Sequence, residues 1–216
     1  MDAYKNKTTY EYDALGRLTS EMDALGRNNQ YQYNQIGQIA SMINPEGYMQ
    51  SFEYDELSRV TVVSDDTGKL RGYSYDMLGN VTEEADSLGR TTKYEYDNIG
   101  NLTKVIDTRG GATEFKYNLQ AQVVSQTNPL GNKYSYLYDL NGQILKETDP
   151  IGAETKYSYD AAGRMITAID REGATQQYKY DLAGRLIEEI NALGKPTKYE
   201  YDAASRLIKS NSREAS

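Results

Sequence analysis

The sequence predicts an all-β protein made of tandem 21-residue β-hairpin repeats that form a twisted, curved antiparallel meander ribbon. Three observations support this prediction. One tyrosine recurs every 21 residues without insertion or deletion, two turn signals divide each repeat, and the segments between turns are too short for helices. The tyrosine series is Tyr12, Tyr33, Tyr54, Tyr75, Tyr96, Tyr117, Tyr138, Tyr159, Tyr180 and Tyr201.

The first turn of each repeat follows this tyrosine. It begins with Asp or Asn and usually has Gly at its fourth position, the preference of a type I turn closed by a residue with positive φ. Ser58, Ala121 and Ser205 replace that glycine, so we expect these three turns to be strained or differently shaped. The pattern is represented by Asp13, Gly16, Asp76, Gly79, Asp160, Gly163, Asp181 and Gly184.

The segments between turns have the composition and alternation of β-strands. In the first strand, alternation places Tyr10 and Tyr12 on one face. The second strand begins with an aliphatic residue such as Leu18, and Met22, four residues later, is expected on the same face. Short turns force antiparallel neighbours. Columns of tyrosine and aliphatic side chains should therefore alternate across one face.

The repeat pattern also sets the domain organisation. About ten repeats occupy residues 1–209, beginning with a degenerate half-repeat, and residues 210–216 are predicted to be a frayed polar tail. No separate domain is expected at either end.

Composition excludes several classes of function. The 216 residues contain neither cysteine nor histidine, which excludes disulfides, thiolate sites and imidazole chemistry. The net charge of −8 argues against nucleic-acid binding, which needs a basic face. No apolar run approaches the length of a membrane span, and the first residues do not form a signal peptide. We expect a non-enzymatic protein without cofactors.

The complete motif is an aromatic residue, any residue, Tyr-Asp, two variable residues and Gly-Arg, as in 157–164 and 178–185. Its in-register copies across residues 2–209 resemble the Rhs or YD-repeat family, which includes bacterial Rhs and wall-associated polymorphic toxins, Tc toxin shell components and the teneurin YD shell. The resemblance implies a hairpin ribbon that spirals into a hollow shell. In the bacterial members this shell encloses a C-terminal toxin and is closed by a segment with self-cleaving aspartate chemistry.

The chain departs from that plan because only repeats are found in it. A tryptophan-containing closing segment, a toxin domain and a delivery domain are not recognised. The run Asp149-Pro150-Ile151-Gly152 is similar to the closing motif, but it occupies an ordinary turn position.

Two functional hypotheses follow. The first is a non-catalytic scaffold, a shell segment that encloses a toxin or other cargo or presents an interaction surface. The second is a carbohydrate-binding module that uses tyrosine rows. The expected partners are the rest of a larger shell or its cargo, glycans under the second hypothesis, and further copies through open sheet edges. The resemblance implies secretion or a cell-surface location for the intact protein.

Other repeated residues have simpler interpretations. The turn aspartates could suggest a calcium site, but they occur singly and lack calcium-repeat spacing, so a turn-forming role is favoured. Arginines after the turns are expected to pair with nearby acids on a solvated face, where each pair contributes about 0–1 kcal/mol. They are Arg17, Arg27, Arg59, Arg90, Arg164, Arg185 and Arg206.

Overall fold

A computed structural model describes residues 7–212. It divides into two compact units, residues 1–111 and 112–216. The strands of the first unit are β1 (Thr9–Tyr12), β2 (Leu18–Met22), β3 (Asn28–Tyr33), β4 (Ile39–Ile43), β5 (Met49–Tyr54), β6 (Val60–Asp65), β7 (Gly68–Tyr75), β8 (Val81–Asp86), β9 (Thr91–Tyr96) and β10 (Leu102–Ile106). Those of the second unit are β11 (Ala112–Tyr117), β12 (Val123–Thr127), β13 (Lys133–Tyr138), β14 (Ile144–Thr148), β15 (Glu154–Tyr159), β16 (Met165–Ile169), β17 (Thr175–Tyr180), β18 (Leu186–Ile190), β19 (Pro196–Tyr201) and β20 (Leu207–Ser212).

Within each unit, every strand pairs antiparallel with the strand that follows it in the chain. Residues 7–212 contain no helix, and therefore none that could cross a membrane. The prediction of an all-β chain of tandem hairpins in an antiparallel meander is confirmed.

Most successive strands are joined by a loop of three residues that follows an Asp or Asn. Hydrogen bonds of this Asp or Asn close the loop. In the first, Gly16 N–H donates to the Asp13 carbonyl at 3.0 Å, and Asp13 N–H donates to the Arg17 carbonyl at 2.9 Å. Asp13 Oδ1 also accepts the N–H groups of Leu15 and Arg17. Gly16 has φ 78°, which a glycine adopts without a Cβ clash. Side chain and backbone therefore fix the same loop.

The three turns without glycine were expected to be strained or differently shaped, and the structure shows strain without a change of shape. Ser58, Ala121 and Ser205 have φ of 66°, 59° and 61°, and their turns retain both backbone bonds. The Asp or Asn bonds and the paired strands hold these residues in the left-handed region, where a Cβ is disfavoured. The turns are strained but not reshaped.

The turn with a different shape contains a glycine. Only Asp66 and Thr67 lie between β6 and β7, and Asp65 pairs with Gly68. Asp65 Oδ1 accepts bonds from the Thr67 N–H, the Thr67 hydroxyl and the Gly68 N–H. The threonine hydroxyl adds a bond to the same carboxylate oxygen, and this loop closes one residue earlier than the others.

Replacing Ala121 by glycine should stabilise the chain. The change relieves a left-handed alanine, which costs about 1–2 kcal/mol, and it adds unfolded-chain entropy worth about 0.5–1 kcal/mol. We expect a net gain of about 0.5–1 kcal/mol in the free energy of unfolding, measured with urea. Ala162, a turn residue without positive φ, is the control. Its replacement by glycine should destabilise, and equal losses in both variants would contradict the strain.

A β-bulge in the first hairpin of each repeat changes one predicted side-chain direction. Tyr12 pairs with Leu18 and Thr9 pairs with Met22, so four steps along β2 match three steps along β1. Tyr12 and Thr9 point to opposite faces because side chains alternate along a strand. Leu18 and Met22 therefore also lie on opposite faces, and the prediction that they share one is wrong. The extra residue of the bulge shifts the alternation by one position.

The described residues form no buried hydrophobic core. Among them only Ser41, Gly72 and Ser125 are buried, and most strand side chains are half-buried. Each repeat touches its neighbours through one layer of side chains. Stability should therefore come from contacts between adjacent strands, as in other repeat proteins.

The last strand extends further than predicted. Residues 210–212, assigned to the frayed tail, pair with β19 and complete β20. Backbone pairing needs no apolar side chain, so the polar sequence does not stop the strand. Residues 213–216 and the first six residues of the array lie outside the described range.

Candidate functional site

The recurring tyrosines join each repeat to the one before it. The Tyr33 hydroxyl donates to the Leu18 carbonyl at 2.7 Å, 15 residues earlier in the chain. In the same way the other bonds of this series, at 2.6–3.0 Å, are made by Tyr54, Tyr75, Tyr96, Tyr138, Tyr159, Tyr180 and Tyr201. Tyr117 pairs with Val123 in the corresponding hairpin. Tyr12 belongs to β1 and is 60% exposed.

The aliphatic residue at the start of each second strand lies between two tyrosines. Leu18 pairs with Tyr12, and its carbonyl accepts the hydroxyl of Tyr33. The register thus produces the alternating tyrosine and aliphatic columns expected from the sequence. Burial between these columns raises the pKa of Tyr75, Tyr96, Tyr138 and Tyr159.

Four arginines bind two repeats at once. The Arg59 side chain pairs with Asp55 Oδ2 at 2.7 Å, its Nη1 donates to the Asp76 carbonyl at 2.8 Å, and its guanidinium lies 4.6 Å from the centre of the Tyr75 ring. The ring contact is a cation–π interaction, worth about 0.5–1 kcal/mol at exposed sites. The same three contacts are made by Arg17, Arg164 and Arg185.

The sequence interpretation of these arginines was incomplete. Arg27 and Arg90 do pair with their own turn aspartates on an exposed surface, as expected. Arg17 instead also reaches the carbonyl of Asn34, 17 residues away. The sequence did contain a signal for this longer contact. Each of the four bridging arginines lies at the end of a first turn, 16 residues before a tyrosine of the column.

Amides take the arginine position in several repeats. Asn80 Nδ2 donates to Asp76 Oδ2 at 2.9 Å and remains within its own turn. Gln143 Nε2 reaches the Gly163 carbonyl of the next repeat at 2.7 Å. The joint between repeats therefore tolerates substitution of the arginine more readily than substitution of the tyrosine.

The predicted turn residues lie together in each loop. The Arg164 side chain lowers the pKa of Asp160 most, and the Asn80 side chain does so for Asp76. The Arg17 N–H lowers the pKa of Asp13, and the Arg185 N–H lowers that of Asp181. The paired glycines, Gly16, Gly79, Gly163 and Gly184, all have positive φ. Across residues 7–212, no three acidic side chains converge as a metal site would require.

Asp160 offers a direct test of this turn chemistry. Replacement by asparagine should lower the melting temperature less than replacement by alanine. An amide oxygen can still accept from Ala162 and Arg164, as Asn118 does in its own turn, whereas alanine loses every side-chain bond of the turn. Thermal unfolding measures the order. If both variants have the same melting temperature, the backbone bonds to Oδ1 contribute nothing to stability. The ion pair with Arg164 then accounts for the whole effect.

A second tyrosine series contacts carboxylates, which the sequence interpretation missed. The Tyr199 hydroxyl donates to Glu189 Oε1 at 2.7 Å, and this bond raises the Tyr199 pKa to about 12. Tyr94 contacts Glu84 at 3.4 Å. The pKa of Tyr94 is raised mainly by burial and next by the nearby Glu84 carboxylate. Each pair joins a second strand to the next first strand, so the carboxylates also link consecutive hairpins.

Glu154 lies between two lysines on neighbouring strands. Its contacts with Lys146 and Lys156, at 2.7 and 2.9 Å, lower its pKa from 4.5 to about 2. Because the pKa of Glu154 is lower in the folded chain, its ionised carboxylate stabilises the fold at a pH above 4.5, the pKa of an unperturbed glutamate. As the pH falls below that value, the unfolded chain binds protons first and this stabilisation is lost. We therefore expect the urea midpoint to fall as the pH decreases from 4.5 towards 2. The Glu154→Gln variant should show a shallower fall, and an identical pH profile would contradict this contribution.

The Asp149-Pro150-Ile151-Gly152 segment is an ordinary turn. Asp149 N–H donates to the Ala153 carbonyl, and Gly152 N–H donates to the Asp149 carbonyl, at 2.9 and 3.0 Å. The groove beside it is lined by Tyr136, Glu147, Asp149 and Arg171 among others. Equivalent grooves occur in two earlier repeats. Glu21 and Asp23 line one of them, six repeats before Glu147 and Asp149. Glu84 and Asp86 line the other, three repeats before the same pair. The groove is thus a feature of the repeat and not of one reactive site.

Fold and contacts together define a tandem β-hairpin repeat protein joined by tyrosine hydroxyls and arginine side chains. The sequence profile described as teneurin YD-shell matches residues 1–143. The profile described as RHS repeat matches residues 138–175 and 180–215. The chain belongs to the RHS/YD-repeat family.

Solved structures show the same fold. TcdB2-TccC3 matches with a TM-score of 0.71 and 19% identity over 96% of this chain and 13% of that chain. A TcdB2-TccC3-TEV structure matches with a TM-score of 0.71 and 17% identity, over 97% of this chain and 13% of that chain. The Photorhabdus luminescens Tc holotoxin pore matches with a TM-score of 0.67 and 15% identity, over 95% of this chain and 14% of that chain. The chain thus spans about an eighth of these structures' length. A search of curated proteins finds no match.

Proposed function

We propose that the chain is a segment of YD-repeat wall that acts as a non-catalytic scaffold in a larger shell. That shell encloses a toxin or other cargo, or presents an interaction surface. The observation that carries the proposal is the joint between repeats. The residues that define the motif, such as Arg59, Tyr75 and Asp76, bond to the neighbouring repeat.

The proposal assigns structural roles to both groups of predicted residues. The ten tyrosines from Tyr12 to Tyr201 form one column, in which tyrosines such as Tyr75 and Tyr159 hold adjacent hairpins together. The aspartate and glycine pairs set the turns that keep all strands in register. The remainder of a larger Rhs-type shell and its cargo are the proposed partners. As the family resemblance implies, the intact protein is placed outside the cell or at its surface.

The carbohydrate-binding hypothesis has no comparable support. Sugar rings stack on free aromatic faces, but arginines cover four faces of the column, as at Tyr33 and Tyr180. The hydroxyls of most column tyrosines are bonded to backbone carbonyls.

A chimera tests the scaffold proposal. In TcdB2-TccC3, the segment that aligns with this chain is replaced by residues 8–207, and particle closure is read by electron microscopy and by protease resistance of the contents. Closed particles are expected because the two structures share one fold over 96% of this chain. The matched control carries Tyr75→Ala, Tyr96→Ala and Tyr159→Ala in the inserted segment and should stay open. A chimera that folds but is as open as this control would contradict a wall function.

A further inference from the structure

One lateral edge of the first unit carries a row of exposed aliphatic side chains. Successive connections of a meander lie at opposite edges, so the turns that follow β1, β3, β5, β7 and β9 all lie along the same edge. The third residue of each of these turns is a large aliphatic residue, and each is 67–79% exposed. Together they form the aliphatic row: Leu15, Ile36, Leu57, Leu78 and Ile99.

The turn itself does not require an aliphatic residue at this position. Gln120 and Asn141 occupy it in the second unit, where the backbone bonds of the turn are the same. At the opposite edge of the first unit, leucines alternate with polar residues at the equivalent position: Leu25, Glu46, Thr67, Leu88 and Arg109. Turn geometry therefore does not account for an unbroken row, and an exposed apolar patch of this kind marks an interaction surface.

The same edge exposes little charge. At the second and third positions of its five turns, Glu56 is the one charged residue. Arg17 and Arg59, which end two of these turns, pair with their own aspartates and are only 27% and 25% exposed. Arg27 and Arg90 make the same pairs at the opposite edge but are 64% and 61% exposed. A partner of the aliphatic row should therefore be apolar and uncharged.

We propose that the aliphatic row binds the turn edge of another stretch of YD-repeat ribbon. This inference rests on the scaffold proposal, because the ribbon of the first unit is only one hairpin wide. Most of its strands have five or six residues, a length of about 16–20 Å. Such a ribbon forms a wall only where its turn edges meet other turn edges, and an apolar row can make that contact without stranding charges.

The spacing of the row fits a partner of the same kind. Successive first turns are two strands apart, so the row repeats at about 9.6 Å. A second row with this period can place each side chain midway between two of the first row, at about 4.8 Å from both. Aliphatic side chains pack at nearly this separation. Two such rows can therefore interdigitate along their whole length.

The first test measures mass against concentration for the full chain by sedimentation equilibrium. A second copy of the chain carries the same row and is the probe, so the mass should rise from monomer towards dimer. Leu15→Ser combined with Leu78→Ser should raise the dissociation constant about tenfold or more, because these side chains no longer transfer apolar surface out of water.

The opposite edge supplies a matched control. Residues 13–17 and 23–27 are both Asp-Ala-Leu-Gly-Arg and form the same turn at the two edges. Leu25→Ser combined with Leu88→Ser changes two equally exposed leucines, each ten residues after its counterpart in the row. This variant should associate like the original chain. Thermal unfolding should be the same for both variants, since the leucines are exposed in the single chain.

The second test locates the contact. The chain contains no cysteine, so a single thiol can be introduced at either edge. Glu56 lies in the middle turn of the row, which a two-fold pairing brings opposite its own copy. A short bismaleimide should link the Glu56→Cys variant into a dimer. It should link the Ser87→Cys variant, with its thiol in a turn at the opposite edge, far less.

Three results overturn the inference: a monomer at every concentration, equal association of the two leucine variants, or equal linking of the two thiol variants. A monomer that instead binds phosphatidylcholine vesicles through Leu15 and Leu78 would make a lipid surface the partner, and the inference would again be wrong.

The scaffold proposal is tested separately, by closure of the chimeric particles. A closed chimera with a chain that stays monomeric would keep the scaffold and reject the role of the aliphatic row. An open chimera with a chain that dimerises through the row would do the reverse.

Discussion

Replacing Tyr159 by alanine should lower the free energy of unfolding by about 2–3 kcal/mol, and replacing it by phenylalanine should lower it by about 1 kcal/mol. Its hydroxyl donates to the Ile144 carbonyl at 2.9 Å, and Tyr159 lies opposite Met165 in the register of the adjacent strand. Phenylalanine removes only the hydrogen bond. Alanine also removes half-buried aromatic surface, so its cost falls below that of a fully buried ring.

Urea unfolding gives the two energies, and hydrogen exchange shows where the loss occurs. Because repeats contact only their neighbours, exchange should increase most in the hairpins next to Tyr159. Tyr48→Phe is the control, since Tyr48 is 71% exposed and lies in a turn. It should leave stability unchanged. If Tyr159→Phe were equally silent, the hydroxyl bonds would not join the repeats.

Alkaline pH should unfold the chain well before it affects an ordinary β-protein of this size. Glu189 raises the Tyr199 pKa to about 12, and burial raises the pKa of Tyr157 and Tyr159. Below pH 10.0 both folded and unfolded tyrosines hold their protons, and the full stability is present. Above that value the unfolded chain ionises first, so stability falls as pH rises towards 12.

Urea midpoints measured from neutral pH to about pH 12 check this expectation, and tyrosinate absorbance reports ionisation. The Glu189→Gln variant should bring the Tyr199 pKa back towards 10, since the carboxylate no longer opposes the phenolate. Nuclear magnetic resonance of the Tyr199 ring resolves that shift. A constant midpoint across the alkaline range would show that the folded tyrosines ionise as readily as unfolded ones.

Much of this architecture could be read from the period. A spacing of 21 residues located every tyrosine of the column, and the Asp and Gly positions located the turns. Local chemistry determines these features, because an aspartate can close its own loop and a glycine can take positive φ. Strand order followed from the short connections.

The remaining features depend on register. The bulge after Leu18 has no glycine or proline to mark it, so the opposite orientation of Met22 could not be anticipated. The reach of Arg17 to the Asn34 carbonyl and the pairing of Tyr199 with Glu189 join separate strands. Such contacts can be assigned only after the bulge has fixed which residues are neighbours.

Because residues 7–212 contain no buried hydrophobic core, such a protein can change over generations in a way that a globular domain cannot. A globular domain that loses a segment exposes an interior that the rest of the chain was shaped to fit. Here, removing one whole repeat brings an equivalent turn-closing arginine or amide and a column tyrosine together across the gap. Unequal recombination between repeats can therefore alter the length of the gene product while every surviving contact keeps its partner type.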